Sequence, residues 1–204
     1  MTLQMTESWR DTTEWERKWW GSCANTLGEE WKQLAYAKRM GLVRFHDGKS
    51  PFNFDLGGRS VLDIGGGPCS ILLKCVNVQG EVADPCQYPA WVEQRYASAG
   101  IRSSGFKGED LGTRAGAFDE VWIYNVLQHV EDPGKIIANA RRLGKIIRLF
   151  EWIDTGIAPG HPHNLTEAWL NEQLGGEGKV EESDEHTAVG RCYYGIFKGD
   201  GNGV

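Results

Sequence analysis

The sequence predicts an α/β protein with a mostly parallel sheet, helices on both faces and an N-terminal helical cap. Three observations carry this reading. The apolar run Val61-Leu62-Asp63-Ile64 breaks at once into Gly65-Gly66-Gly67-Pro68, as a buried strand does when it turns sharply toward a helix. A second short strand, Gly80-Glu81-Val82-Ala83-Asp84, also ends in an acid. Further on, Lys145 to Ile153 is apolar almost throughout, which suits a strand covered on both faces.

The elements follow in order. Residues 1–50 read as a tryptophan-rich helical cap and residues 51–204 as the main domain. Within the cap, Glu29 to Met40 is a helix with Trp31, Leu34 and Ala35 on one stripe and a stop at Gly41. After the first strand, Ser70 to Val76 is apolar enough to be the helix that leads to Gly80–Asp84. Trp91 to Ala99 reads as a helix, Ile101 to Phe106 as the third strand and Val121 to Tyr124 as the fourth. Lys135 to Leu143 is the next helix, followed by the fifth strand. Leu165 to Leu174 is a helix that Asn164 can cap, and strands at Lys179–Ser183 and Arg191–Lys198 end the domain.

Composition narrows the function classes. The chain has 204 residues, enough for one α/β domain with a full core. Its 22 basic and 28 acidic residues give a net charge of −6, which argues against a broad phosphate-tracking surface for nucleic acid. No apolar run approaches a membrane span and the N-terminus lacks a signal-peptide core, so a cytoplasmic location is expected. Five cysteines without a CxxC pair form neither a disulfide framework nor a zinc cluster, and no metal site is expected.

The glycine turn alone admits a dinucleotide site, but that pattern wants glycine where this chain has Ser70. Val61 to Pro68, Asp84, Glu109-Asp110-Leu111 and the run Phe118 to Pro133 instead resemble, in order and spacing, the successive motifs of class I S-adenosylmethionine-dependent methyltransferases. The resemblance covers roughly residues 58–155 and departs from the family at Cys69, where the pattern has glycine. It implies a Rossmann-like, seven-stranded sheet closed by an antiparallel hairpin. It also implies S-adenosyl-L-methionine as cofactor and S-adenosyl-L-homocysteine as product. Carried over by position, Asp63 and Gly65 would lie against the methionine part of the cofactor, with Gly66 also at the cofactor and Gly67 supporting the turn. Asp84, with Pro85 after it, would hold the ribose; Asp110 and Leu111 would flank the adenine; Asn125 would sit near the transferable methyl.

Ligands in such sheets bind at the carboxyl ends of the strands, so substrate contacts belong to the loops after strands four and five. Three histidines stand there: His129 after the fourth strand, and His161 and His163 on the stiff loop Pro159-Gly160-His161-Pro162-His163-Asn164. Each is a candidate base for a hydroxyl acceptor, and each has a packing or capping alternative. Five of the nine tryptophans lie in the first 31 residues, and Trp19 or Trp20 is a candidate ligand contact. Pro85-Cys86-Gln87 matches the nucleophile tripeptide of cytosine-C5 methyltransferases, but it follows the second strand, on the adenosine side.

After the fourth strand, Tyr124-Asn125-Val126-Leu127 replaces the Asn/Asp-Pro-Pro-aromatic cluster that grips an exocyclic amine, which disfavours amino-directed DNA methylation. The expected acceptor is a small polar metabolite or a sugar-type precursor, methylated on oxygen. Two other readings stay open: an RNA-modifying methyltransferase with a partner subunit, and a non-catalytic cofactor-binding scaffold.

Overall fold

The computed structural model describes residues 7–44, 54–113, 117–185 and 188–201. The expected boundary between cap and domain, at residue 50, lies outside the described residues. Two helices come first, α1 (Glu7–Trp20) and α2 (Thr26–Arg39). The strands are β1 (Phe54–Asp55), β2 (Ser60–Ile64), β3 (Cys75–Val76), β4 (Gln79–Ala83), β5 (Arg102–Ser104), β6 (Phe118–Tyr124), β7 (Gly144–Trp152), β8 (Lys179–Glu185) and β9 (Ala188–Lys198). Between them lie α3 (Ala90–Ser98), α4 (Pro133–Leu143) and α5 (Glu167–Leu174).

The main sheet has seven strands in the order β5-β4-β2-β6-β7-β9-β8. Pairing is parallel from β5 to β7, and β9 runs antiparallel to both β7 and β8. This is the Rossmann-like sheet with its closing hairpin. Strand order reverses at β2, so β2, β4 and β6 present their carboxyl ends at one crevice.

Side chains alternate across the sheet as the pleat requires. Leu62, Ile64, Val121, Ile123 and Leu149 face α4 and α5, joining Ile136, Ile137, Leu170 and Leu174. Val61, Trp122, Tyr124 and Phe150 face the other way and pack with Tyr36 and Met40 of the α2 segment and with Val92 and Tyr96 of α3. Helices therefore cover both faces.

One expected helix is not there. Between β2 and β4 the chain forms two 3₁₀ turns, Gly67–Cys69 and Ile71–Lys74, and then the short strand β3. Ser70 is extended, with ψ 144°, and its hydroxyl accepts from the Leu72 amide. The neighbouring amides go to aromatic hydroxyls: Ser70 N donates to Tyr96 Oη and Ile71 N to Tyr124 Oη, both at 3.0 Å. These side chains take the donors of the first turn, and the chain satisfies its backbone without a helix. α2 packs over the two turns instead.

Other departures are smaller. The α2 stripe is rotated from the expected one: Gln33, Ala35, Tyr36 and Ala37 are buried, while Trp31 is exposed. The third strand shortens to Arg102–Ser104. α5 begins at Glu167, capped by the Thr166 side chain, which accepts from Trp169 N; Asn164 Oδ1 accepts from Gly156 N instead.

Candidate functional site

Each strand end supplies one wall of a single cavity of about 450 Å³, and α1 and α2 supply the rest. Gly65, Gly66 and Gly67 after β2, Asp84 and Pro85 after β4, and Asn125, Gln128 and His129 after β6 all line it. Trp15, Glu16, Trp19 and Trp20 reach it from α1, and Gln33 and Tyr36 from α2.

The glycine turn is shaped by contact. Gly65 has φ +72°, and a Cβ there would lie 2.5 Å from a methyl of Val126. The turn thus presses against the loop after β6. Asp63 is not itself in the wall. It is fully buried beneath the turn, where Oδ2 accepts from the hydroxyls of Ser70 and Tyr124, both at 2.5 Å. Burial pushes its carboxyl up to about 7. Asp63 therefore props the glycine turn and does not touch the cavity.

Asp84 is held at the tip of β4 by three donors. Oδ2 accepts from Gly67 N at 3.0 Å, and Oδ1 from Cys86 N at 2.9 Å and Tyr88 Oη at 3.1 Å. Two carboxylate oxygens offer about four acceptor positions, so capacity for a ligand hydroxyl remains. Burial raises its pKa. Cys86 lies in the wall beside it, its thiol pushed up by burial and by the Asp84 charge, the opposite of what a nucleophile needs.

The third expected motif lies only partly at the cavity. Asp110 is exposed and Leu111 is part of the core, and neither lines the cavity. Lys107, Gly108 and Glu109 do. Glu109 Oε1 accepts from Glu131 N and Asp132 N, which ties this turn to the loop after β6.

That loop is set from below by Glu151, at the end of β7. Its buried carboxylate accepts from Val126 N at 3.0 Å through Oε1 and from Leu127 N at 3.0 Å. Burial pushes Glu151 up to about 8, against the pull of those bonds. Above it, Asn125 takes φ +55° and its Oδ1 accepts from Gln128 Nε2 at 3.0 Å.

Two of the three candidate histidines meet at the cavity. His129 Nδ1 lies 2.8 Å from Gly160 O and 3.1 Å from Glu16 Oε1, while Nε2 lies 3.2 Å from Gln128 Nε2. Two acceptors at Nδ1 and a donor at Nε2 fix the neutral tautomer, with the proton on Nδ1. His161 packs edge-on at 4.6 Å between ring centroids. Burial, with His161 adding to it, pushes His129 down to about 4; burial, with Asp84 adding, pushes Glu16 up to about 7. His163 does not belong to this group: its Nε2 bonds to Val130 O at 2.8 Å, and the residue is absent from the cavity wall.

Trp19 and Trp20 both line the cavity. Glu16 and Glu151 are the residues that sequence reasoning missed. An acid inside Leu149-Phe150-Glu151-Trp152, an otherwise apolar strand, was a usable signal. Glu16 had none, because α1 is rich in charges along its length.

Among the described residues no group of His, Cys, Asp and Glu is placed to hold a metal ion, and no helix is long and apolar enough to cross a membrane.

The model of a methyltransferase domain matches residues 62–146. No curated protein matches the sequence. Among solved structures, the chain is similar to an O-methyltransferase family protein from Burkholderia thailandensis, with TM-score 0.53 and 16% identity over 71% of this chain. It spans only about half of that protein, 52% of its length. It is also similar to 1,6-didemethyltoxoflavin-N1-methyltransferase from the same organism, a structure with S-adenosylhomocysteine bound (TM-score 0.58, 16% identity, 94% of this chain and 85% of that one). A third match is the putative methyltransferase of Haloferax volcanii, solved with the Trm112 methyltransferase activator (TM-score 0.60, 14% identity, 88% of this chain and 96% of that one). At these identities the likeness of structures is one of fold.

Proposed function

Residues 62–146 carry a methyltransferase domain on the class I fold, and from that premise we propose an enzyme that moves the methyl group of S-adenosylmethionine to a hydroxyl of a small-molecule acceptor. The observation that carries this reading is the single cavity in which the glycine turn and Asp84 meet His129. On this view α1 and α2 cap the cavity, and the strand ends from β2 to β6 carry most of the cofactor contacts.

The residues present fit the cofactor. On cavity-lining residues, Gln33 Oε1 and Gln128 Oε1 are buried acceptors without a partner among the described residues, and an ammonium donor would satisfy one. Asp84 would accept from ribose hydroxyls, and Gly65 to Gly67 leave the backbone bare where a side chain would block approach. Lys107, Gly108 and Glu109, in place of Asp110 and Leu111, would edge the adenine. Asn125 stands at the end of β6, where methyl and acceptor would meet. When bound, S-adenosylmethionine supplies an activated methyl on a sulfonium and leaves as S-adenosylhomocysteine.

The chain's own work is then to bind, align and exclude water. Glu151 fixes the loop that carries Asn125, Gln128 and His129. His129, neutral and facing the cavity, takes the acceptor's proton. His161 lies beside it in the wall. Calorimetric titration with S-adenosylmethionine and S-adenosylhomocysteine tests the reading. Micromolar binding of either supports it, and no binding at millimolar ligand in folded protein returns the chain to the scaffold reading.

The Haloferax match favours one second reading, because that methyltransferase was solved with an activator and this chain spans 96% of it. An RNA-modifying enzyme with a partner subunit would bind RNA with a steep salt dependence once the partner is added.

A further inference from the structure

We infer that the acceptor end of the cavity is built for a planar aromatic ring bearing a hydroxyl, and that Glu16 of α1 is the positioning carboxylate of His129. The inference rests on the methyl-transfer reading of the same cavity and names its substrate class.

The first observation is the ring lattice. Trp15 and Trp19 lie 5.7 Å apart with planes 6° from parallel, and Trp15 and His129 lie 6.4 Å apart at 18°. His161 closes edge-on against Trp15 at 6.0 Å. Trp19 lines the cavity yet is 48% exposed, a large apolar face left in water at a ligand site. Tyr36 and Trp152 add two more rings to the same wall, each packed against Phe150. Aromatic rings stack on such faces more strongly than area burial alone accounts for.

The second observation is how α1 meets His129. A Cβ on Gly160 would lie 2.7 Å from the Trp15 ring, so the loop after β7 and α1 are in close contact. Gly160 O and Glu16 Oε1 converge on the same Nδ1–H. One turn of α1 therefore supplies both a ring wall and a carboxylate.

The chemistry balances. The acceptor O–H bond breaks and its proton passes to His129 Nε2, displacing the hydrogen bond from Gln128. The positive imidazole is then met by Glu16 through Nδ1–H. The acceptor oxygen keeps the electron pair and forms the bond to the methyl carbon, as the methyl–sulfur bond breaks with its pair going to sulfur. A buried histidine is a weak base, which matches an acidic hydroxyl: a phenol ionises near 10, far below an alkyl alcohol. The charged groups facing the pair are Asp84 from the tip of β4, Glu29 from α2 and His161 from the loop after β7.

Two measurements test this. The full chain, loaded with S-adenosylhomocysteine, is titrated calorimetrically with naphthol and with its saturated analogue decahydronaphthol. At least tenfold tighter binding of naphthol is expected, and Trp19→Ala should remove most of that preference. Equal binding, or no naphthol binding at millimolar concentration, overturns the aromatic assignment. Next, nitrogen-15 histidine spectra are followed from pH 5 to 9, with His129→Gln to identify the signal. The His129 nitrogens should show a step near pH 7 as Glu16 ionises, and Glu16→Gln should abolish it in a variant that keeps the native circular dichroism spectrum. A step that survives Glu16→Gln, or no step in the unaltered protein, overturns the pairing. If the protein binds no S-adenosylhomocysteine, the methyl-transfer reading fails, and the pH step still decides the pairing by itself.

Discussion

Arg148 grips Glu120 with two hydrogen bonds inside the sheet, Nε to Oε2 at 2.7 Å and Nη2 to Oε1 at 3.1 Å. The remaining nitrogen, Nη1, donates to the carbonyl of Met40 at 2.7 Å. Met40 is the C-cap of α2, and α2 carries Gln33 and Tyr36 into the cavity wall. One guanidinium thus ties α2 to β6 and β7.

Arg148→Ala should be among the most destabilising single changes in the chain. It leaves Glu120 fully buried with Arg59 and Trp122 as remaining partners, and it orphans the Met40 carbonyl. Removing one partner of a buried pair costs about 3–5 kcal/mol, and Arg59 should hold the loss near the lower end. For a chain of this size that is a fall of roughly 6–12 °C in Tm. Thermal unfolding followed by circular dichroism reads it, and a shift under 2 °C would show the network to be dispensable.

Asp84→Ala should weaken S-adenosylhomocysteine by about 10- to 100-fold, since a hydrogen bond to a charged group is worth on the order of 1.5–3 kcal/mol. Part of that loss is indirect, because Gly67 N and Cys86 N lose their acceptor too. Asp84→Asn separates the effects. It keeps a side-chain oxygen for one of those amides while removing the charge, so its affinity should fall between the two. Unchanged affinity in both variants would remove Asp84 from the cofactor site.

Much of the scaffold was legible, and the reasons are local. β2, β6 and β7 are largely apolar runs, and the pleat leaves such runs little freedom. The helix expected at Ser70–Val76 failed because the hydroxyls of Tyr96 and Tyr124, far away in sequence, take its first amides. Periodicity cannot report a distant donor or acceptor. The same limit applies to the site. Gly65, Gly67 and Asp84 were visible because the turn itself needs those residue types. Glu16 was not, since only the docking of α1 brings it to His129. Glu109 and Asp110 are adjacent acids in sequence, and only the packing of the 3₁₀ turn Gly108–Thr113 decides which is buried and which is exposed.

Glu151 makes stability depend on pH. Its carboxyl titrates at about 8 in the folded protein, raised by burial, and near 4.3 in an unfolded chain. Between those values the folded protein keeps a proton that the unfolded chain has lost. Its contribution is therefore complete below about pH 4 and is lost as pH rises toward 8. Glu151→Gln has no proton to lose and can still accept from Leu127 N through its amide oxygen. The variant should gain on the native chain by a few kcal/mol as pH climbs from 5 to 9. Urea midpoints at three pH values measure this, and a constant gap between the two proteins would show that Glu151 does not titrate there.

His163 and His129 should part company. His163 Nε2 bonds to Val130 O and the side chain stands outside the cavity wall, so His163→Ala loses one hydrogen bond of about 1 kcal/mol. Its Tm should drop by roughly 2–4 °C, with S-adenosylhomocysteine affinity and methyl transfer intact. His129→Ala removes the group that faces the acceptor and leaves Glu16 and Gly160 O without their shared donor. S-adenosylhomocysteine should still bind, because Asp84 and the glycine turn are untouched, while transfer to a hydroxyl acceptor falls by about 10²–10⁴, the usual worth of a positioned base. Equal turnover in the two variants would mean that proton removal is left to solvent, and that His129 serves only to hold α1 against the loop after β7.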